Sequence, residues 1–304
     1  IKKAEKILQQ GQKNKIDAEI ITRAWLTKAL AYYYNDENEK ALDAFKATLD
    51  ISVTLKDQKY TLQALDKKSL TFYWMNNFPD ALTVANEGLT LSLNIGNQLF
   101  NSIFLENLGR INRGMNENQT ALDFYKQALE IRLKNNFSEN IDNTHNQLGL
   151  LYYSLGQYEK AIENYRASLK ISEENHDEEG KGICLNNMGN VYRKWGNYEK
   201  AIESLQDALK IFNALNQPLD VANCYNNIGI CYENLMEENL LEENLINLNN
   251  ALTYHQQALE KRINIGDSIG MGNSYMNLGN VHSAMVMYKF MIEYGKDENI
   301  NYYL

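Results

Sequence analysis

The chain has 304 residues, with 30 Lys and Arg against 39 Asp and Glu, a formal net charge of −9. That balance argues against gripping a phosphate backbone, and with no run of 18 apolar residues no membrane-spanning segment is predicted. Two prolines in this length suit a nearly all-helical chain. One compact core would be at its upper size limit here, whereas a stack of repeats has no such limit.

Ile1 to Gln10 reads as a helix through Ala4, Ile7 and Leu8, in the place of a second helix from an incomplete preceding repeat over 1–16. Gly11 to Asp17 then forms a turn. Repeats start near 17, 57, 97, 137, 177, 217 and 267, and Asp17, Asp57, Asn97, Asp177 and Asp267 stand in step at those turns, where Asp or Asn caps the next helix. The first copy carries Ala29, Tyr32, Ala41, Leu42, Phe45 and Leu49; the second carries Phe72, Phe78, Ala81, Leu82 and Leu89. Their first helices hold more aromatics, Tyr32 to Tyr34 and Phe72 to Trp74, than one intra-repeat contact buries. The surplus is expected to line a groove or to pack on a preceding part. Leu108-Gly109 with Ala121, Leu122, Tyr125 and Ala128 forms the third copy. Leu148-Gly149, Tyr152, Gly156, Tyr158, Ala161, Ile162 and Tyr165 form the fourth.

The clearest copy runs from Asn186 to Leu209: Met188-Gly189, Tyr192, Gly196-Asn197-Tyr198, Ala201-Ile202 and Ala208-Leu209. Ile228-Gly229 and Tyr232 keep the 40-residue step, but Ala251-Leu252 falls ten residues late, so an insertion lies within 234–250. Its leucines alternate with Glu237, Glu238, Glu242 and Glu243, predicting lengthened helices or a long loop with an apolar stripe that packs on the chain itself, the rival reading being a docking ridge for another domain. After Leu278-Gly279 the pattern decays, and 285–304 is expected to be a divergent cap or the start of another region. Ile1 is no start methionine and no stop pattern precedes Leu304, so a longer parent chain is expected.

A glycine inside a helix costs about 1 kcal/mol against alanine. Gly149, Gly189, Gly229 and Gly279 are therefore expected to admit a close second helix, with Ala41, Ala161, Ala201 and Ala251 small opposite them. Tyr152, Tyr192 and Tyr232 fill the wider gap one turn later. Gly156 and Gly196 supply positive φ in the short turns.

Self-similarity at a fixed period of this size marks a solenoid. The Leu-Gly-x-x-Tyr first helix and Ala-x-x-x-Phe/Tyr second helix resemble the tetratricopeptide repeat, over nearly the whole chain. The 40-residue step, longer than the usual ~34, is similar to that of kinesin light chains, the spindle adaptor LGN and many bacterial signalling arrays. HEAT and armadillo repeats have similar periods but lack the Leu-Gly-x-x-Tyr pattern. The resemblance implies an all-α, right-handed superhelical solenoid of helix-turn-helix repeats, with the first helices on a concave surface.

No catalytic constellation stands out, so no enzyme, cofactor or metal site is expected. His145, His176, His255 and His282 are scattered, and none has a zinc-binding neighbour. Gly266, Gly270 and Gly272 lie in a turn with no preceding strand and no Lys-Ser/Thr, unlike a phosphate loop. Acidic residues are read as solvated helix faces. Cys184, Cys224 and Cys231 are expected as buried free thiols, which leans towards a reducing, cytoplasmic compartment.

Asparagine rises above this background. It is a poor helix former, about 0.7 kcal/mol below alanine, yet it recurs mid-helix. Asn107, Gln147, Asn187, Asn227 and Asn277 form one column, flanked by Asn146, Asn186 and Asn226, by Asn190 and Asn280, and by Asn143, Asn223 and Asn273. A carboxamide both donates and accepts, so such columns can hold an extended peptide backbone without regard to its side chains. The family resemblance places them in the groove. The other reading of the same columns is a hydrogen-bond ladder between repeats. Arg110, Arg113, Arg193 and Lys194 hold central positions against Glu106 and Glu233, which points to a protein or peptide partner with acidic side chains near its middle. The Lys and Asn carboxylate clamp of chaperone-binding arrays is not reproduced, so chaperone tails are not expected partners. The reading is a non-enzymatic scaffold, the sensor or adaptor region of a larger signalling protein. Its rivals are the regulatory array of a kinase, cyclase or caspase-like protease lying outside this chain, and a spacer without a ligand.

Overall fold

A computed structural model of the chain describes residues 18–137, 140–235 and 240–294. The expected helix over Ile1 to Gln10, the Asp17 cap, Glu237 and Glu238 of the insertion, and residues 295–304 lie outside these. Positive φ recurs every twentieth residue, at Asp36, Lys56, Asn76, Gly96, Asn116, Asn136, Gly156, His176, Gly196 and Asn216, and again at Gly266 after the insertion. Both kinds of turn, within and between repeats, thus share one design. Most of the helices have 17 residues and most are joined by three, the middle one left-handed. At Asp57 the design is explicit. Its backbone N–H donates to the Ser52 carbonyl at 2.8 Å, closing the preceding helix, while its carboxylate accepts from Lys59 and Tyr60 N–H at 3.1 and 3.2 Å, opening the next. Asn97, Asp177 and Asp267 cap their helices in the same way, as their spacing predicts.

Thirteen helices follow among the described residues. They are α1 (Ala18–Tyr34), α2 (Asn38–Thr54), α3 (Gln58–Trp74), α4 (Phe78–Asn94), α5 (Gln98–Gly114), α6 (Asn118–Lys134), α7 (Ile141–Ser154), α8 (Tyr158–Glu174), α9 (Glu178–Trp195), α10 (Tyr198–Ala214), α11 (Pro218–Asn234), α12 (Leu241–Ile265) and α13 (Ser268–Tyr294). Contacts group them into two compact units, Ile1–Leu151 and Tyr152–Leu304. No helix among the described residues is long and apolar enough to cross a membrane.

In the first unit Phe104 is fully buried among Leu62, Leu65 and Val84, while Leu108 and Ile111 pack on Ala81 and Ala85. Gly88 leaves the space that the Phe104 ring occupies. Burying such a ring contributes about 1.5–3 kcal/mol. First helices also touch their counterparts, α1 with α3 and α3 with α5, which sets their polar columns side by side.

In the second unit α9 touches α11 similarly. Ala208, Phe212, Val221 and Cys224 form one core cluster. The apolar stripe of the insertion lies on the lengthened α12, 25 residues against the usual 17. Leu248 and Ala251 pack there on Val281 and Met285 of α13, with Leu245 and Tyr288 beside them. The extra turns of α13 therefore cover the extra turns of α12. That explains the lost repeat pattern after Gly279: the helix runs on where other repeats turn.

The glycine column does more than admit a close second helix, as it does at Gly189, where the Ala201 carbonyl lies 3.3 Å from an added Cβ. A Cβ added at Gly109, Gly189 or Gly229 would meet Tyr125 at 2.8 Å, Leu205 at 2.6 Å or His255 at 2.6 Å. Each glycine is chiefly a socket for one bulky side chain of the second helix, four residues past the small alanine. At Gly279 nothing lies within 4 Å, so the expected close packing is not found there.

Candidate functional site: two amide-lined faces

In the first unit the reading of acidic residues as solvated faces fails at Glu106 and Asp66, both buried. Glu106 accepts from Arg110 Nη2 at 2.9 Å, Asn143 Nδ2 at 2.6 Å and Thr144 Oγ1 at 3.1 Å, and it pairs with Arg132 Nη1. Arg132, itself buried, also donates to Ser102 Oγ, Thr144 Oγ1 and the Asn140 carbonyl. A buried charge pair is tolerable only when its remaining donors and acceptors find partners, as they do here. Asn107 is 3% exposed and donates to Asp66 Oδ1 at 2.8 Å and Ser69 Oγ at 3.3 Å, so its amide serves the fold. Asp66 also holds Lys67 at 3.1 Å. Burial works against the Lys67 ammonium, but Asp66 and the nearby Tyr33 and Tyr34 leave it above its usual range.

Asn143, Asn146 and Gln147 are half-buried on α7. Arg110 is already paired with Glu106. Nε of Arg110, Nε of Arg113 and Oε1 of Gln147 are buried without a hydrogen-bond partner. Burial pushes the Tyr125 phenol up to about 12, against the pull of the neighbouring Arg113 and Arg110 guanidiniums. The aromatic surplus is real: Tyr34 and Trp74 are exposed, and the Trp74 indole N–H donates to Tyr33 Oη at 3.3 Å.

The second unit carries the amide ladder. Asn227 Nδ2 donates to Asn190 Oδ1 at 3.0 Å, and Asn277 Nδ2 donates to Asn226 Oδ1 at 2.8 Å. Asn186 accepts from the Cys224 thiol at 3.7 Å, and Asn223 accepts from Arg262 Nη2 at 3.3 Å. Asn187 is half-buried and engaged, whereas Asn273 and Asn280 are exposed. Arg193 is half-buried with its Nε unpartnered, and its charge reaches Tyr153. A carboxamide offers two donors and two lone pairs. One bond to a neighbouring repeat therefore leaves each paired amide with capacity to spare.

Three residues escaped the sequence reading. Arg132 and Arg262 follow matching Ala-Leu-Glu-x runs. Each reaches a backbone carbonyl eight residues on, at Asn140 or Gly270, and a hydroxyl twelve residues on, at Thr144 or Ser274. Their shared column was the available signal. His255 stands four residues past Ala251, in the column of Phe45, Tyr125 and Tyr165. It is buried with Nε2 2.6 Å from Glu233 Oε1. Among the described residues no group of three His, Cys, Asp or Glu side chains could hold a metal ion.

Tetratricopeptide repeat family models match residues 104–135 and 140–214. Those stretches carry tetratricopeptide repeats. Solved structures with this fold include a Signal Transduction ATPase with Numerous Domains with a tetratricopeptide repeat sensor from Pyrococcus horikoshii, at TM-score 0.68 and 17% identity, covering 97% of this chain and 45% of that one. The chain thus spans under half of that protein. BtubC from P. vanneervenii matches at TM-score 0.66 and 16% identity, over 75% of this chain and 92% of that one. A Rap protein complexed with competence and sporulation factor matches at TM-score 0.62 and 15% identity, over 93% and 81%. No curated protein matches this tetratricopeptide repeat chain in sequence.

Proposed function

We propose that the amide-lined first-helix faces bind an extended peptide segment, and that the chain is the non-enzymatic sensor or adaptor region of a signalling protein. The observation that carries this is the half-used ladder. Asn190, Asn226, Asn227 and Asn277 are fixed by one another, yet each keeps hydrogen-bonding capacity for a peptide backbone. Held on rigid helices, they lose little entropy on binding, so mainly the peptide is ordered. Arg193 in the second unit and Arg113 in the first, half-buried cations on those helices, favour acidic side chains on the ligand. Arg110, held by Glu106, contributes less. Two fold neighbours accord with this reading, one a repeat sensor in a signal transduction ATPase and one in complex with a factor.

A second reading has its own support. The same Asn pairs could serve only to lock repeats together, in a spacer without a ligand. Peptide display on the full chain separates the two. Enrichment of extended, acid-containing sequences, lost with Asn227→Ala and Arg193→Ala, supports the binding face. No enrichment over an unrelated helical protein would leave the spacer.

A further inference from the structure

Asn186, Asn190 and Arg193 follow one another on α9 at steps of four and three residues, so they share one stripe of that helix. Asn226, Ile230 and Glu233 repeat the stripe on α11, which touches α9. The amide-lined stripes of the second unit thus end in opposite charges on neighbouring helices. In the first unit such charges are matched within the chain: Glu106 pairs with Arg110 and Arg132, and Asp66 with Lys67. Among the described residues neither Arg193 nor Glu233 has an ion-pair partner in Lys, Arg, Asp or Glu. Glu233 is held in another way. Its Oε1 accepts from Nε2 of His255 at 2.6 Å, while Nδ1 of the same ring is buried without a partner. A neutral imidazole that donates from Nε2 leaves Nδ1 a bare acceptor. His255 is wholly buried and fills the Gly229 socket, as Tyr125 and Leu205 fill the equivalent ones. An apolar side chain would fill that socket without stranding a buried nitrogen. What the imidazole adds is a fixed direction for the carboxylate, which keeps 23% of its side chain exposed.

We propose that Glu233, positioned by His255, selects a basic side chain on the peptide, a selectivity that rests on the peptide-binding reading above and sharpens it. The second unit then takes a mixed-charge segment, with an acidic residue at Arg193 and a lysine or arginine at Glu233. A half-buried carboxylate with one oxygen uncommitted and no cation of its own is matched by an ammonium or guanidinium from the ligand. Packed helix axes lie about 8–10 Å apart and an extended chain rises about 3.3 Å per residue, so the two charges of the ligand stand about three residues apart. His255, being wholly buried, does not reach the ligand and acts only through Glu233.

The test displays a library of extended peptides against the full parent chain and against Glu233→Gln, with a thermal melt of each. The parent is expected to enrich sequences with an acidic residue and a lysine or arginine about three residues from it. With Glu233→Gln, which keeps the side-chain shape, the basic preference should vanish and the acidic one remain. Replacing the basic residue of a selected peptide with alanine should weaken binding to the parent about tenfold, and to Glu233→Gln little. His255→Phe returns an apolar ring to the socket and should lessen the basic preference at that one position, which a change in packing alone would not do. An unchanged preference in folded His255→Phe would overturn the positioning role. Acid-rich selection without a basic residue, or a basic preference indifferent to Glu233→Gln, would overturn the proposal and leave peptide binding standing. No enrichment at all would overturn both.

Discussion

The side-chain amide of Asn227 donates to the carbonyl oxygen of Asn190 at 3.0 Å, joining the first helices of two neighbouring repeats. A net stabilisation of about 0.5–1.5 kcal/mol is expected of such a bond. Asn190→Ala, Asn227→Ala and the double change should therefore show a coupling of that size in urea unfolding. A coupling near zero would mean that the pair holds nothing together.

The glycine column makes a prediction of opposite signs. Gly189→Ala sets a methyl 2.6 Å from Leu205, and overpacking of this kind should destabilise by about 1–3 kcal/mol. Gly279→Ala meets nothing and removes a helix-interior glycine, which should stabilise by about 0.5–1 kcal/mol. Thermal melts of the two variants, one lower and one higher than the parent, would check both.

Glu106 and Arg132 form the buried charge pair of the first unit. Glu106→Ala leaves the guanidinium without its counter-charge and should cost about 3–5 kcal/mol. Replacing both residues with apolar ones of similar volume should cost much less. Equal losses for the two variants would contradict the assignment.

Burial pushes the Cys224 and Cys231 thiols up to about 12, from an ordinary 9.0. They hold their protons more tightly in the folded chain than in the unfolded one. Their contribution to stability is thus complete below pH 9.0 and is lost as pH rises towards about 12. Tyr125 adds to the same trend between 10.0 and about 12. Unfolding midpoints should fall across this window, and Cys224→Ala with Cys231→Ala should flatten the slope. At neutral pH both thiols should react with a disulfide reagent only after denaturant is added.

Lys56 and His176 occupy left-handed positions where Gly96, Gly156 and Gly196 stand in other turns. A side chain there costs about 1–2 kcal/mol, part of which glycine gives back in unfolded-state entropy. Lys56→Gly and His176→Gly should each stabilise by about 0.5–1 kcal/mol, measured by the shift in urea midpoint.

The architecture was legible because its signals repeat. Gly156, Gly196, Asp57, Asn97 and Asp177 mark turns and caps in step, and those positions behave in the structure as their chemistry dictates. What stayed hidden depends on which partner a side chain finds across the fold. Glu106 looks like any surface glutamate until Arg132, 26 residues away, is set against it. Gly279 looks like its three counterparts, and only the space beside it tells them apart. The asparagine columns pointed to polar use, but a sequence does not say how an amide divides its hydrogen bonds between a neighbouring repeat and a ligand.

The central claim is that the spare capacity of the ladder binds a peptide backbone. The most direct measurement is titration of a display-selected acidic peptide, by fluorescence anisotropy, against the parent chain and against Asn226→Ala with Asn227→Ala. Melting of the variant is recorded alongside. The account predicts that affinity falls about tenfold or more, the loss of roughly one to two well-formed hydrogen bonds, with a smaller change in stability. Unchanged affinity in a folded variant would contradict it and assign the ladder to holding the repeats together.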